Sequence, residues 1–361
     1  MPRKPVQSTS APRSRFFERE LAGEVAPTLS ELRMLYILAT ELFALQPWEF
    51  VDETQLIVVP DSRTGENWYC SVMGALGEVF ALHAYRGEAG LRLFRRIQNE
   101  EITDAGEALS MMDCLFVEFV SSSELRRQDR ELLAALDHPR GRGLATPIFR
   151  AQRPGYHPWF VNANEALTLA DCIRAFLAYC ASDRKKWPQD MDGVYPMVRP
   201  GKGAEAPFQI DLVRPVLPTE PAASPTPLPD EMLHALRGRD YPVRGVIELD
   251  YAVSGAAVGK PHERPRCTAI ALAVDANSGM VLAPLATAAT VPPDLLLAQV
   301  FLEAVHQTGM VPCEIRIRKT LHRPTLASLT DQLGIHVRIM KRMPAAEQAR
   351  RSLLDFMERR G

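Results

Sequence analysis

Residues 214–230 read RPVLPTEPAASPTPLPD, with proline at 215, 218, 221, 225, 227 and 229. A proline lacks the N–H donor and fixes φ, so this run can enter neither a helix interior nor a central strand. Such a stretch acts as a semi-rigid spacer. It divides a chain of 361 residues, longer than a single core usually grows. The expectation is an α+β domain over 21–213, a linker over 214–229 and a second domain over 230–361. With 46% hydrophobic and 24% charged residues, the composition is that of a globular protein with enough apolar material for two cores. Residues 1–20 are rich in Pro, Ser and Arg, lack the apolar centre of a secretion signal, and are expected to be a disordered basic tail.

Charge and cysteine usage exclude several classes. The net charge is -2. Residues 1–229 carry 25 Lys and Arg against 30 Asp and Glu, a net of -5, and residues 230–361 carry 17 against 14, a net of +3. That excess is too weak to argue nucleic-acid binding by itself. The six cysteines, at 70, 114, 172, 180, 267 and 313, form no C-x-x-C pair. Several sit in apolar runs, as free thiols of a reducing compartment do; a cytoplasmic protein is expected. No apolar stretch reaches the ~18 residues of a membrane span, and no His/Cys spacing suggests zinc.

In the first domain, apolar residues at helical spacing predict helices over 28–45, 88–98, 123–136 and 165–185, with Thr28 or Ser30 capping the first and Ser123 the third. Strands are expected over 54–59, 67–85 (a hairpin around Gly74 to Gly77), 113–120, 146–161 (two strands across a Pro-Gly turn) and 207–213. Glu100, Glu101 and Asp104 read as exposed loop acids. The second domain is more regular. After a short helix over 230–238 it predicts strands at 243–253, 266–274 and 280–288, a helix at 292–308, a strand at 313–318, a helix at 325–333, a strand at 335–340 and a helix at 344–360. Its order is β-β-β-α-β-α-β-α.

Within that order stand IELD (247–250) at a strand end, LAVDANSG (272–279) at a turn, TGMVPCEIR (308–316) leading into the fourth strand, and MPAAE (343–347) at the start of the last helix. Taken together, residues 243–358 resemble the ribonuclease-H-like catalytic core of retroviral integrases and related transposases. The whole chain is also similar to bacterial proteins that join two such modules. The resemblance implies a site of three carboxylates holding two divalent metals. Asp250 and Glu347 match the first and third acids. The middle acid would fall at the end of the fourth strand, where the chain reads RIRKT (316–320). A cation there repels Mg²⁺, so the resemblance implies a degenerate site with no metal, no cofactor and no confident catalytic residue. Arg318 or Lys319 would supply a fixed positive charge in its place.

Each acid also has an ordinary reading: Asp250 as a strand residue paired with an Arg, Asp275 as a turn former, Glu347 as a complement to the helix dipole. Arg316, Arg318, Lys319, His322 and Arg323 form one basic cluster, and Arg338, Lys341 and Arg342 a second, both expected at one end of the sheet. They could bind phosphates or form a solvated rim. The reading favoured by the residues is a non-catalytic binding or interaction module whose partner is nucleic acid or protein. Two alternatives stand beside it. One is a metal-dependent nuclease or phosphoryl-transfer enzyme in which Glu248 or Asp275 completes the site. The other places the function in the first domain, with the second as scaffold.

Overall fold

The computed structural model describes residues 21, 23–102, 104–136, 145–182, 193–203, 206–217, 225–236, 240–260 and 263–358. The expected tail at 1–20, the middle of the linker at 218–224 and the expected helix end at 183–185 lie outside the described residues. The described parts of the linker, 214–217 and 225–229, have no regular secondary structure.

The chain is mixed α/β and carries two mixed sheets. The first contains β1 (Ile57–Pro60), β2 (Asn67–Met73), β3 (Phe80–Arg86), β4 (Cys114–Val120), β5 (Thr146–Gln152), β6 (Tyr195–Gly203) and β7 (Ala206–Val213), in the order β5-β4-β3-β2-β1-β6-β7. All neighbours are antiparallel except β1 and β6. Strand alternation sends Val72, Leu82 and Val117 to one face. There they meet α1 (Leu29–Leu45) and α5 (Ala163–Ala181) through Leu35, Leu42, Ile173 and Phe176. Tyr69, Tyr85 and Phe116 go to the other face, under Leu91 and Phe94 of α2 (Gly87–Gln98). Because both faces are covered, β4 (CLFVEFV) is apolar almost throughout. Both long helices start at capping boxes, Thr28 with Glu31 and Asn162 with Glu165.

Four expectations need correction. The helix expected at 123 begins later: α4 spans Arg127–Ala135 with Arg126 at its N-cap, because Ser121 and Glu124 close a turn of their own and Asp129 reaches back to the Arg126 N–H. The second strand of 146–161 shrinks to one bridge, Ala151 to Trp159. The loop before it bonds the other domain instead, through His157 N–H to Pro265 O and Cys267 N–H to Gly155 O. Two elements are additional: β6, whose YPMVRPGKG hides a strand behind prolines and glycines, and α3 (Ala105–Met111), a seven-residue helix capped by Asp104.

The second sheet follows the expected element order. After α6 (Asp230–His234) come β8 (Val246–Val258), β9 (Arg266–Asp275), β10 (Val281–Ala288), α7 (Pro293–Thr308), β11 (Glu314–Ile317), α8 (Arg323–Thr330), β12 (His336–Ile339) and α9 (Pro344–Glu358). The sheet order is β10-β9-β8-β11-β12. β8, β9 and β10 are antiparallel, and β11 runs parallel to both β8 and β12. Leu297 and Phe301 of α7 and Leu326 of α8 cover one face with Leu249, Ala271 and Ile315. Met343 and Ala346 at the start of α9 cover the other, on Ile270, Leu272 and Val274.

The domains dock closely. Arg264 of the second domain is buried in the first, where it donates to Ala151 O at 3.0 Å and lies 3.6 Å from Glu24 and 3.8 Å from Glu165. At α3 the approach is backbone to backbone: a Cβ added at Gly106 would lie 2.1 Å from the Val253 carbonyl oxygen of β8. A Gly106→Val substitution should therefore lever α3 off β8 while leaving both cores intact. The expected result is a larger radius of gyration in small-angle scattering with unchanged far-UV circular dichroism. An unchanged radius would mean that α3 is not held at this point.

Candidate functional site

Alternation along β8 places Glu248 and Asp250 on the face covered by α9, between the two shells of apolar residues. Both are buried, at 1% and 3% exposure. A buried carboxylate needs a partner, and each finds a different one. Glu248 Oε2 accepts the Ala346 N–H at 2.9 Å, so it satisfies one of the free amides at the start of α9. Its Oε1 lies 3.8 Å from Arg316 Nη1, the residue opposite it on β11.

Asp250 meets two guanidiniums. Arg318, the residue after β11, puts Nη2 at 3.4 Å from Asp250 Oδ1 and at 3.5 Å from Glu347 Oε1. Arg350, one turn along α9 from Glu347, places Nη1 at 3.3 Å from Asp250 Oδ2. Three positions far apart in sequence thus converge, and the middle one is a cation. Burial dominates the Asp250 carboxyl and lifts its pKa; Arg350 and Arg318 pull against it without cancelling it. Glu347 also accepts the Met343 N–H at 3.3 Å, so it caps its own helix while it holds Arg318.

Lys319 does not join this cluster. Its Nζ lies 2.6 Å from Glu107 Oε1 on α3, a partly exposed ion pair across the domain boundary worth about 0–1 kcal/mol. His322 is buried and its Nδ1 bonds Asp294 Oδ1, near the start of α7. Asp294 Oδ2 accepts from Thr325 Oγ1 at 2.9 Å and from Thr226 Oγ1 at 3.0 Å. The end of the linker is thereby tied to the second domain. Burial alone would raise the Asp294 pKa, but the bonds from His322, Thr325 and Thr226 outweigh it and hold the carboxyl below its ordinary value.

Asp275 is a turn former: its Oδ1 accepts from Asn277 N–H, Ser278 N–H and Ser278 Oγ, and those bonds lower its pKa. The expected basic clusters are largely neutralised. Arg316 pairs with Glu314 at 2.7 Å and Arg338 reaches the same Glu314 at 3.9 Å. Arg318 and Lys319 are held as described. Arg323, Lys341 and Arg342 remain exposed.

A cavity of about 210 Å³ opens between α3 and β8, with Asp250, Arg318, Lys319, His322 and Arg350 in its walls beside Glu107 and Ser110. Among the described residues, no group of three or more His, Cys, Asp or Glu side chains could hold a metal ion. No helix there is long and apolar enough to cross a membrane.

Comparison with known families places two matches on this frame. Residues 33–193 match the model of a domain of unknown function, DUF7309, and residues 232–354 match that of another, DUF6930. No curated protein and no solved structure matches the chain.

The residues that the sequence reading missed are those set by the domain boundary. Glu107 and Gly106 sit on a helix too short to show periodicity. Arg350 lies three residues after Glu347, on the same helix face, and that spacing was the available signal.

The two buried acids should respond oppositely to pH. A lowered carboxyl stabilises the fold above the ordinary range and loses that contribution as pH falls through its folded pKa; a raised one gives up stability as pH climbs to its folded pKa. The melting-temperature cost of Asp294→Asn is therefore expected to be larger at pH 7 than at pH 3, and that of Asp250→Asn smaller at pH 7 than at pH 3. Equal costs at both pH values would remove the assigned causes.

Proposed function

We propose that this protein is a non-catalytic, two-domain binding module whose second domain has a ribonuclease-H-like fold with a degenerate site. The observation that carries the reading is Arg318 Nη2 lying between Asp250 and Glu347, at 3.4 and 3.5 Å. The sheet order β10-β9-β8-β11-β12, with three antiparallel strands followed by two parallel ones, fits that of a ribonuclease-H-like domain and supports the resemblance seen in the sequence. In such a domain the space between these positions would be taken by metal. A guanidinium about 4 Å from a divalent ion costs on the order of 8 kcal/mol at an effective dielectric of about 20, and both carboxylates are already engaged with arginines.

The enzyme alternative loses support on the same geometry. Glu248 caps α9 and Asp275 closes a turn, so neither is free to replace the middle acid. A nucleic-acid partner is supported only by Arg323, Lys341 and Arg342. Three phosphate contacts correspond to a log–log salt slope of about -2 to -3, a weak, non-specific footprint. A protein partner, beginning with the chain's own first domain across α3, fits the site better.

Mn²⁺ titration by calorimetry tests the reading. Wild-type protein is expected to give no stoichiometric binding. Arg318→Asp, which restores a carboxylate at the end of the fourth strand, is expected to gain it. Stoichiometric Mn²⁺ binding by the wild type, lost in Asp250→Ala, would sink the proposal.

A further inference from the structure

We propose that the outer face of α1 is the contact surface of an antiparallel homodimer, in which the helix crosses a second copy of itself at Ile37. This surface belongs to the first domain and is separate from the Arg318 site.

Helix α1 reads LSELRMLYILATELFAL and is apolar nearly all round. One face is accounted for, since Leu32, Leu35, Ala39 and Leu42 are buried in the core of the first domain. A helix lying on one side of a sheet should carry polar residues on its other face. Here that face includes Met34, Ile37 and Leu45, at 42%, 54% and 37% exposure. The exposed positions of the helix are 30, 33, 34, 37, 40, 41, 44 and 45. They advance by three and four residues in turn, as the seam of a helix pair does. The seam runs along a helix of 17 residues, about 25 Å long.

Charge selects the occupant. The exposed positions hold one cation, Arg33, and one anion, Glu41, each four residues from Ile37. Among the described residues, neither has an ion-pair partner. A two-fold axis at Ile37 makes the contact isologous, so each pairing occurs twice. It sets Arg33 of one copy against Glu41 of the other, Met34 against Thr40, and the small Ser30 against the small Ala44. A parallel pair would instead set Arg33 on Arg33 and Glu41 on Glu41, which is repulsive. An unrelated partner would need an anion, an apolar residue and a cation at the same spacing. The face itself already carries them in the right order.

Size sets the strength. One helix face per protomer should bury less than the roughly 1,200 Å² of a standard interface, so the dimer is expected to be concentration-dependent.

Sedimentation velocity on the full-length chain, from about 1 µM to about 1 mM, is the test. A reversible monomer–dimer equilibrium is expected within that range. Arg33→Glu and Glu41→Arg should each weaken it by about tenfold or more, because the axis repeats every altered contact. The two changes together should restore it. Ile37 is more than half exposed, so Ile37→Lys should abolish the dimer and keep the melting temperature of the monomeric wild type. Register is read by Ile37→Cys in a Cys313→Ser background, which removes the exposed native thiol. Oxidation should then link two chains, since an axis at residue 37 brings the two copies of that residue together. The proposal is overturned by a wild type that stays monomeric across the range or by a dimer that Ile37→Lys leaves intact. Failure of the double charge swap to recover the dimer, or of Ile37→Cys to cross-link, overturns it as well.

Discussion

The guanidinium of Arg318, held between Asp250 and Glu347, is the interaction on which the second half of this structure turns. It joins three elements that share no local sequence: the first strand of the sheet, the end of β11 and the start of α9. Without a cation at that point, Asp250 would be a charge buried on a face otherwise built of Ile270, Leu272 and Val274. Removing one member of a buried pair typically costs about 3–5 kcal/mol, because the charge left behind is uncompensated. Arg318 is about one-third exposed, so its own loss should fall below that range. The consequence for Asp250 is less screened, and Arg350 alone would have to meet it.

The raised pKa of Asp250 fits this account. Two arginines within 3.5 Å would depress an exposed carboxyl strongly, yet burial still wins here. The cluster is therefore a compensated cost and not a surplus of stability. What it contributes is placement: α9 cannot slide along the sheet without separating Arg350 from Asp250 and Glu347 from Arg318, and Glu248 fixes the same helix from its first amides.

The regularity of the second domain made its order legible. Alternating apolar residues in β8 and β9, glycine at 309 and 334 in the left-handed region after α7 and α8, and proline at the start of α7 and α9 are local signals. They were enough to bring Asp250, residue 318 and Glu347 into one argument. The first domain was read less well where its chain is shaped by contacts made elsewhere. The segment after β5 abandons a hairpin because Gly155 and His157 bond to Cys267 and Pro265. β6 pairs with β1 at a single residue pair, Val58 with Met197, so its prolines at 196 and 200 cost little on that side. Helix α3 has no buried residue of its own; its place is set by β8, and no window of its sequence contains β8.

Arg264 explains why docking has one geometry. Its side chain is 7% exposed, and burial, with Arg153 nearby, lowers its pKa, while Glu165 and Glu24 pull it back up. The same Glu24 and Glu165 also bind Arg153 at 2.6 and 2.7 Å. Two carboxylates thus face two guanidiniums in a balanced cluster, and the Ala151 and Phe160 carbonyls accept from Arg264 Nη1 and Nη2. Shifting one domain by a few ångströms would leave a buried guanidinium facing no acceptor. The apolar area between the domains could tolerate such a shift, whereas the charge cannot. Since α3 closes over β8 only in that geometry, the loop carrying Arg264 sets the walls of the cavity that Arg318 and Asp250 share.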